Sequence, residues 1–170
     1  MRFTVGTTVV HPVHGPVAVR SLHDRIVRGT PVPYAELHEP VTRLTIAVPV
    51  SQAENLGVRP VMDTTQIEAL LVEMAAPETY TPQTWSRRIK DYELRLESRS
   101  VTARASVVRD IVRVSGPVPS SALERQLLRD SLRILASEVV LSLGCDSDHA
   151  MHLLQQAAAG QSSPSDAAVA

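Results

Sequence analysis

The chain has 170 residues, enough for one domain of ordinary size or two small ones. Its hydrophobic fraction of 44% allows a packed core, but aromatic residues make up only 3%, so Ala, Val and Leu must fill most of it. The formal net charge of −1 excludes an overall field that would draw the protein to nucleic acid or to a membrane.

The charge is unevenly distributed along the chain. Residues 1–75 carry 6 Arg and 7 acidic residues, a sum of −1, whereas residues 85–133 carry 11 Lys plus Arg and 6 acidic residues, a sum of +5. This local excess would suit an acidic partner, and it is also normal for the solvated surface of a helical domain.

Three features indicate the compartment. The single cysteine, Cys145, excludes an internal disulfide and is typical of a reducing environment. The opening residues MRFTVGTTVV lack the layout of a signal peptide. The most apolar run, Ile134–Leu143, is too short to span a bilayer and contains Glu138. We expect a soluble, cytoplasmic protein.

The first 49 residues have the composition of strands and turns, with much Val and Thr between Gly and Pro. Gly15 and Gly29 fall where hairpin turns belong. So small a sheet must curl to bury its inner face, which favours an SH3-like or Tudor-like barrel. We predict five short strands, at Thr8–His11, Val17–His23, Arg25–Val27, Val32–Leu37 and Leu44–Val48.

The period becomes helical after the strands. Ser51–Gly57 predicts a short helix with Ser51 and Glu54 as a capping box, and Thr65 and Glu68 repeat that spacing before a helix reaching about Met74. Four further helices are expected at about 82–97, 101–114, 121–143 and 147–159. Ser121 and Glu124 would cap the third of these four, and the ends are marked by Gly116, Gly144 and Gly160.

The predicted fold class is therefore α+β, with a small Tudor-like barrel followed by an all-α domain. We place the barrel and its short helices in residues 1–76 and the helical domain in residues 77–160. The tail, residues 161–170, is small and polar and is expected to be disordered.

The segment 81–96, TPQTWSRRIKDYELRL, holds the only Trp and the only Lys of the chain. Thr81 is a plausible N-cap, and Pro82 suits the first helical position. Two interpretations of the Trp are open. It begins an apolar stripe with Ile89, Tyr92 and Leu96, which predicts a core residue stapled on Tyr80. Alternatively, Trp85 presents its ring to a partner among the cations Arg87, Arg88 and Lys90.

Basic residues recur at helical spacing after this Trp. A solvated surface partly neutralised by acidic neighbours is one interpretation. The other is a set of phosphate contacts, beside which a Trp wedged into the minor groove would stabilise distorted duplex. The ridges are Arg88/Arg95/Arg99, Arg109/Arg113 and Arg125/Arg129/Arg133.

Catalytic and metal-binding patterns are weak. His11 and His14 lack a third ligand at a usual spacing, so a turn is the favoured interpretation. The sequence shows no nucleophile elbow and no phosphate-binding Gly-rich loop before a helix. We expect neither an enzyme nor a cofactor or metal. A metal bound at His11 and His14 would be the discriminating observation for an enzyme.

Several stretches together resemble the CarD/CdnL family of bacterial RNA polymerase-binding transcription regulators, over nearly the whole chain. The TWSRRIK motif is the most specific of them, and the others occur in the expected order. The stretches are VGTTVVHPVHG (5–15), LTIAVP (44–49), ENLGVRPV (54–61), TPQTWSRRIK (81–90) and VVRDIV (107–112).

The resemblance implies an adaptor in two parts. The Tudor-like module of the family binds the β-subunit lobe of RNA polymerase through a strand edge, and the helical module lies over promoter DNA with its Trp in the minor groove. On this chain the polymerase-binding residues would be Arg25, Leu44, Thr45, Ile46, Ala47 and Val48. The DNA-binding residues would be Trp85, Arg87, Arg88, Lys90 and Arg125.

The sequence departs from the family pattern at two positions. Ala47 replaces a second polymerase-contacting Arg, a loss of about 1–3 kcal/mol if nothing compensates. Val112 replaces a Trp common in the family, which implies repacking of the core.

The function implied is non-enzymatic stabilisation of the promoter open complex by a wedge tethered to polymerase. We expect the free protein to be a monomer, associated with the nucleoid through polymerase. The alternative is a divergent adaptor or decoy that binds polymerase without functional DNA contact.

Overall fold

The computed structural model describes residues 1–77 and 84–161. The chain forms two compact units, which divide between Val61 and Met62. The first is a β unit and the second a helical unit, as expected for the α+β class. Tyr80, Thr81 and Pro82, predicted as a staple and a helix start, lie outside the described residues.

The β unit is built on one antiparallel sheet with the order β4-β3-β2-β1-β5, and it is Tudor-like. Consecutive strands up to β4 are sheet neighbours, so the hairpins form from local connections. The strands are β1 Thr8–His11, β2 Gly15–Val27, β3 Thr30–His38, β4 Thr45–Pro49 and β5 Arg59–Pro60.

Two strands differ from the sequence prediction. The strands predicted at Val17–His23 and Arg25–Val27 are one strand, because Asp24 between them keeps its pairing with Pro33 of β3. The strand β5 was missed, since two residues are too few to show alternation.

The helix predicted at Ser51–Gly57 is only a 3-10 turn at Val50–Gln52 followed by irregular turns, without the expected capping box.

The hairpin between β2 and β3 is closed by Arg28 and Gly29, which follow the paired Val27 and precede its partner Thr30. Both turn residues have positive φ, 51° and 83°. Such a two-residue turn matches the right-handed twist of the flanking strands. Alternate residues of the sheet pack into one core with Phe3, Ala53 and Val58 from outside the strands. The core residues of the sheet are Val9, Val17, Val19, Ala35, Leu37 and Val48.

The helical unit has five helices in the described residues. The structure confirms the predicted helices beyond residue 100 to within a residue or two at each end. The bounds are α1 Thr64–Ala75, α2 Trp85–Glu97, α3 Val101–Ser115, α4 Ala122–Leu143 and α5 Ser147–Ala158.

The helix ends are set by local hydrogen bonds. The side chain of Asp63 caps α1 and forms a capping box with Gln66, in place of the predicted Thr65 and Glu68. Gly116 and Gly144 follow α3 and α4 with positive φ, as predicted for C-terminal stops.

The helix α1 belongs to the helical unit, whereas the sequence placed it with the barrel in residues 1–76. Its apolar residues Ile67, Leu70 and Met74 are buried in the same core as α3, α4 and α5. The boundary between the units therefore precedes α1. The structure places no helix among the described residues that is long and apolar enough to cross a membrane.

Candidate nucleic-acid interface and sheet edge

Trp85 is the first residue of α2, and its side chain is 47% exposed. The predicted apolar stripe is buried only from the next turn onward, at Ile89 and Tyr92, with Leu96 partly buried. The core contains Ile89, Tyr92 and part of Leu96, but not the exposed Trp85. The interpretation of Trp85 as a core residue is therefore wrong, and its presentation to a partner stays a prediction.

The first turn of α2 has few local stabilising features. Thr84 is the N-cap, but its side chain makes no capping hydrogen bond. The first turn has no acidic residue, and Arg87 and Arg88 bring positive charge to the positive end of the helix dipole. Arg87 and Lys90 are exposed on the surface near Trp85 in sequence.

Arg88 is differently placed from its neighbours. Its side chain is only 15% exposed, and its Nη2 donates to Glu124 Oε1 of α4 at 3.2 Å. The other carboxylate oxygen of Glu124 accepts from Ser115 Oγ at the end of α3, also at 3.2 Å. Arg88, predicted as a DNA contact, therefore joins α2 to α4 inside the helical unit.

Glu124 was predicted to complete a capping box with Ser121. Ser121 does cap α4, because its hydroxyl accepts from the backbone N–H of Glu124. The carboxylate of Glu124, however, is buried and turns to Arg88 and Ser115. No local pattern signals this pair, since Arg88 and Glu124 lie 36 residues apart.

Arg125 lies on the surface at the start of α4. Its guanidinium donates to the carbonyl oxygens of Pro119 and Ser120 in the preceding loop. Arg129 and Arg133 follow it along the same exposed ridge. All three basic residues predicted as a ridge on α4 are therefore exposed to solvent.

The other basic ridges are largely committed within the unit. Arg95 donates to Asp91 and Asp110 at 2.7 Å each, and Arg109 also donates to Asp110. Burial alone lowers the pKa of Arg95, but the hydrogen bonds and charges of Asp110 and Asp91 outweigh it and raise that pKa above its ordinary value. Arg95 therefore stays charged as a structural cation.

Arg113 binds backbone rather than acidic side chains. Its guanidinium donates to the carbonyls of Met74, Ala75 and Ala76 at the end of α1, and to Ala158 at the end of α5. A cation at the C-termini of two helices satisfies their unpaired carbonyls and their dipoles. The ridge Arg109/Arg113 of α3 therefore makes hydrogen bonds within the helical unit, and Arg113 joins the ends of α1 and α5.

The predicted polymerase-binding segment lies at an edge of the sheet. Strand β4 pairs with β3 on one side and is the last strand in the order. Leu44, just before it, is 42% exposed, and Thr45 is exposed as well. Ile46 is half-buried, whereas Val48 is buried in the core. The side chain of Val48 is therefore closed to a partner, and only its backbone is left to bind one.

Ala47 lies directly opposite Glu36 of β3. The Glu36 carboxylate accepts from Ser21 Oγ at 2.9 Å and lies 3.6 Å from the Arg25 guanidinium. That guanidinium also stacks over the ring of Tyr34, 5.0 Å from its centre. Arg25 is thus oriented by Glu36 and Tyr34 on the face that carries Ala47.

The two histidines of the first turn have rings 4.9 Å apart. Within residues 1–77 and 84–161, no group of three or more His, Cys, Asp or Glu is arranged to hold a metal ion.

Two family models match this chain, and together they span most of it. The model of the CarD-like/TRCF RID domain matches residues 3–62, which is the β unit. The model of the CarD C-terminal domain matches residues 69–155, half of the whole chain and most of the helical unit. The chain belongs to the CarD family.

CarD-like proteins are transcription regulators that interact with RNA polymerase. Among proteins of known sequence, this chain is similar to "Putative transcription factor YdeB" of Bacillus subtilis (strain 168). The identity is 22% over 142 residues, which cover 84% of this chain and 93% of that protein. The two family models, which match one unit each, agree with the sequence resemblance.

Proposed function

We propose that this CarD-like chain regulates transcription initiation by stabilising the promoter open complex, without catalysing a reaction. In this proposal the β unit binds the β-subunit lobe of RNA polymerase. The helical unit then inserts Trp85 into the minor groove at the upstream edge of the bubble. The observation that carries the proposal is the 47% exposure of Trp85, the single Trp of the chain, at the start of a helix.

An exposed indole at a helix end has a physical use on partly melted DNA. Apolar side chains inserted at base steps stabilise unstacked and kinked duplex. Exposed Arg87 and Lys90 beside it, and Arg125 on α4, would contact phosphates and fix the position without reading sequence. A stabilisation of about 1.4 kcal/mol shifts the ratio of open to closed complex about tenfold.

The proposed polymerase contact uses the edge strand β4. An unpaired strand edge offers backbone donors and acceptors to a strand of the partner, while exposed Leu44 and Arg25 supply side-chain contacts. Tethering to polymerase raises the effective concentration of the helical unit at the promoter, so weak DNA contacts suffice.

Ala47 has a testable consequence for this edge. The side chain introduced by Ala47→Arg would lie opposite Glu36 on the edge strand. It would offer polymerase the charged contact that Ala47 lacks. We expect Ala47→Arg to tighten polymerase binding by about 1–3 kcal/mol, measured as the dissociation constant for the β-subunit lobe. Ala47→Gln is the matched control, with a long polar side chain and no charge. Unchanged affinity would move the contact away from this strand.

The lifetime of the open complex tests the wedge. We expect Trp85→Ala to shorten that lifetime about tenfold after a heparin challenge, with polymerase binding unchanged. Leu94→Ala is the control, because Leu94 is a large apolar residue of the same helix that is 67% exposed. Equal lifetimes for wild type and folded Trp85→Ala would remove the wedge.

One observation favours the alternative of an adaptor without functional DNA contact. Arg88, one of the predicted phosphate contacts, is committed to Glu124. The adaptor predicts that replacing both Arg87 and Lys90 by Gln leaves promoter output unchanged, whereas the wedge predicts a loss. Transcription from a single promoter in vitro separates the two.

A further inference from the structure

We infer that Arg88 is a positioning residue: its pair with Glu124 fixes the first turn of α2, and through it the orientation of Trp85. This inference rests on the proposed function only for its biological consequence. The positioning itself is a property of the free protein and is measured there.

The first turn of α2 needs an anchor outside itself. Its N-cap side chain is unused, its charges oppose the helix dipole, and the residues from Thr84 to Arg87 are exposed. A helix terminus with these features is prone to fray, because little burial and no side-chain capping bond oppose the entropy gained on opening. Packing of α2 in the core begins only at Ile89.

Glu124 is suited to provide that anchor. Its backbone N–H is held by the Ser121 cap, and its side chain is 3% exposed and hydrogen-bonded to Ser115. A carboxylate fixed in this way offers a rigid acceptor to the Arg88 guanidinium. The charge-assisted bond between them is stronger than one between neutral groups.

The bond acts on the residue that matters for the proposed wedge. Trp85 and Arg88 are three residues apart on α2, a spacing that places them on neighbouring parts of the helix surface. Fixing Arg88 to α4 therefore fixes the rotation of the turn that carries the indole. Without the pair, only part of the population would hold Trp85 as the wedge requires, and apparent activity would fall by that fraction.

Electrostatics distinguishes positioning from phosphate contact. A guanidinium neutralised by a buried carboxylate releases no counterion from DNA, so its loss leaves the salt dependence of DNA binding unchanged. A free cation on phosphate contributes about 0.9 to the slope of log affinity against log salt. Arg87, exposed one residue earlier and without an ion pair to another described residue, is the matched case.

The fluorescence of the single Trp tests the positioning directly. The variants are Arg88→Gln and Glu124→Gln, with Arg87→Gln as the control, all with helix content checked by circular dichroism. We expect the first two to lower the anisotropy of Trp85 and increase its quenching by acrylamide, and the Arg88→Gln/Glu124→Gln double variant to match either single one. Arg87→Gln should leave both signals unchanged.

Salt titrations with a promoter duplex carrying a mismatched bubble complete the test. Arg88→Gln is expected to keep the wild-type salt slope, and Arg87→Gln to lower it by about 0.9. Unchanged fluorescence together with a lower slope in Arg88→Gln would overturn the positioning role and make Arg88 a phosphate contact.

Two further variants keep the outcomes separable. If Arg88→Gln loses helix content, Arg88→Lys serves instead. Mobility of Trp85 between those of wild type and Glu124→Gln supports the anchor. Wild-type mobility of Trp85 in the Arg88→Lys/Glu124→Gln double variant overturns it. If Arg88→Gln loosens Trp85 but neither it nor Trp85→Ala shortens the open complex, the positioning stands and the proposed function falls.

Discussion

Two helices of the same unit begin in opposite ways. The helix α4 starts with the Ser121 cap, a buried Glu124 and the Arg125 guanidinium on the carbonyls of the preceding loop. The helix α2 starts with an N-cap side chain that makes no capping hydrogen bond and with an exposed Trp85.

In the helical unit, the helix start with the stabilising bonds and the helix start with the candidate functional residue are therefore different ones. The start of α4 is capped by its own Ser121, so the Glu124 side chain is left to bind Arg88 of α2. The start of α2 breaks local rules, and sites that break local rules while packing elsewhere compensates are often functional. The bond between Arg88 and Glu124 lets the stable start hold the exposed one.

Removing the carboxylate at the start of α4 has the largest expected effect. Glu124→Ala leaves the Arg88 guanidinium in a largely buried place without this partner. We expect the free energy of unfolding to fall by about 3–5 kcal/mol, measured by urea denaturation. Glu93→Ala, an exposed carboxylate on α2, should change it by less than about 0.5 kcal/mol. Similar values for both variants would contradict the anchor.

The two N-caps should differ in what they contribute. Ser121→Ala removes a hydrogen bond to the Glu124 backbone and should cost about 1 kcal/mol of unfolding free energy. Thr84→Ala removes no capping bond and should cost less than about 0.5 kcal/mol. Thermal denaturation of both variants makes the comparison. Equal losses would mean that α2 is capped in solution as α4 is.

The cations at the two helix starts are expected to have the smallest effects, equal on DNA binding and different on stability. Arg87→Gln should lower the slope of log DNA affinity against log salt by about 0.9 and leave stability unchanged. Arg125→Gln should lower the slope similarly and also cost about 1 kcal/mol, because the Pro119 and Ser120 carbonyls lose their donor. Salt titration paired with denaturation checks both, and an unchanged slope in either variant would remove that residue from the DNA contacts.

The sequence predicted most elements because their signals are local. Alternation, turn glycines and helical period require only near neighbours, and they placed the first strand and the helices after residue 100. Strand β5 and the union of two predicted strands into β2 depend on pairing across the sheet. The choice of Asp63 over Thr65 as the α1 cap was also hidden, because both positions have a suitable residue three places on.

The sequence indicated which residues make up the candidate site, but not which of them are exposed and which are bonded inside the helical unit. The sequence singled out the segment around Trp85 as a candidate site, but the apolar stripe could not show that burial starts only at Ile89. Arg87 and Arg88 are adjacent and chemically identical in sequence. Only the tertiary position of Glu124 separates an exposed cation from an internal anchor.

Cross-linking from position 85 tests the central claim most directly. A photoreactive phenylalanine analogue would replace Trp85 in the full chain bound to polymerase and promoter DNA. The account predicts cross-links to DNA at the upstream edge of the bubble, and none there from the same analogue at Leu94. Cross-links from position 85 to protein alone would contradict it.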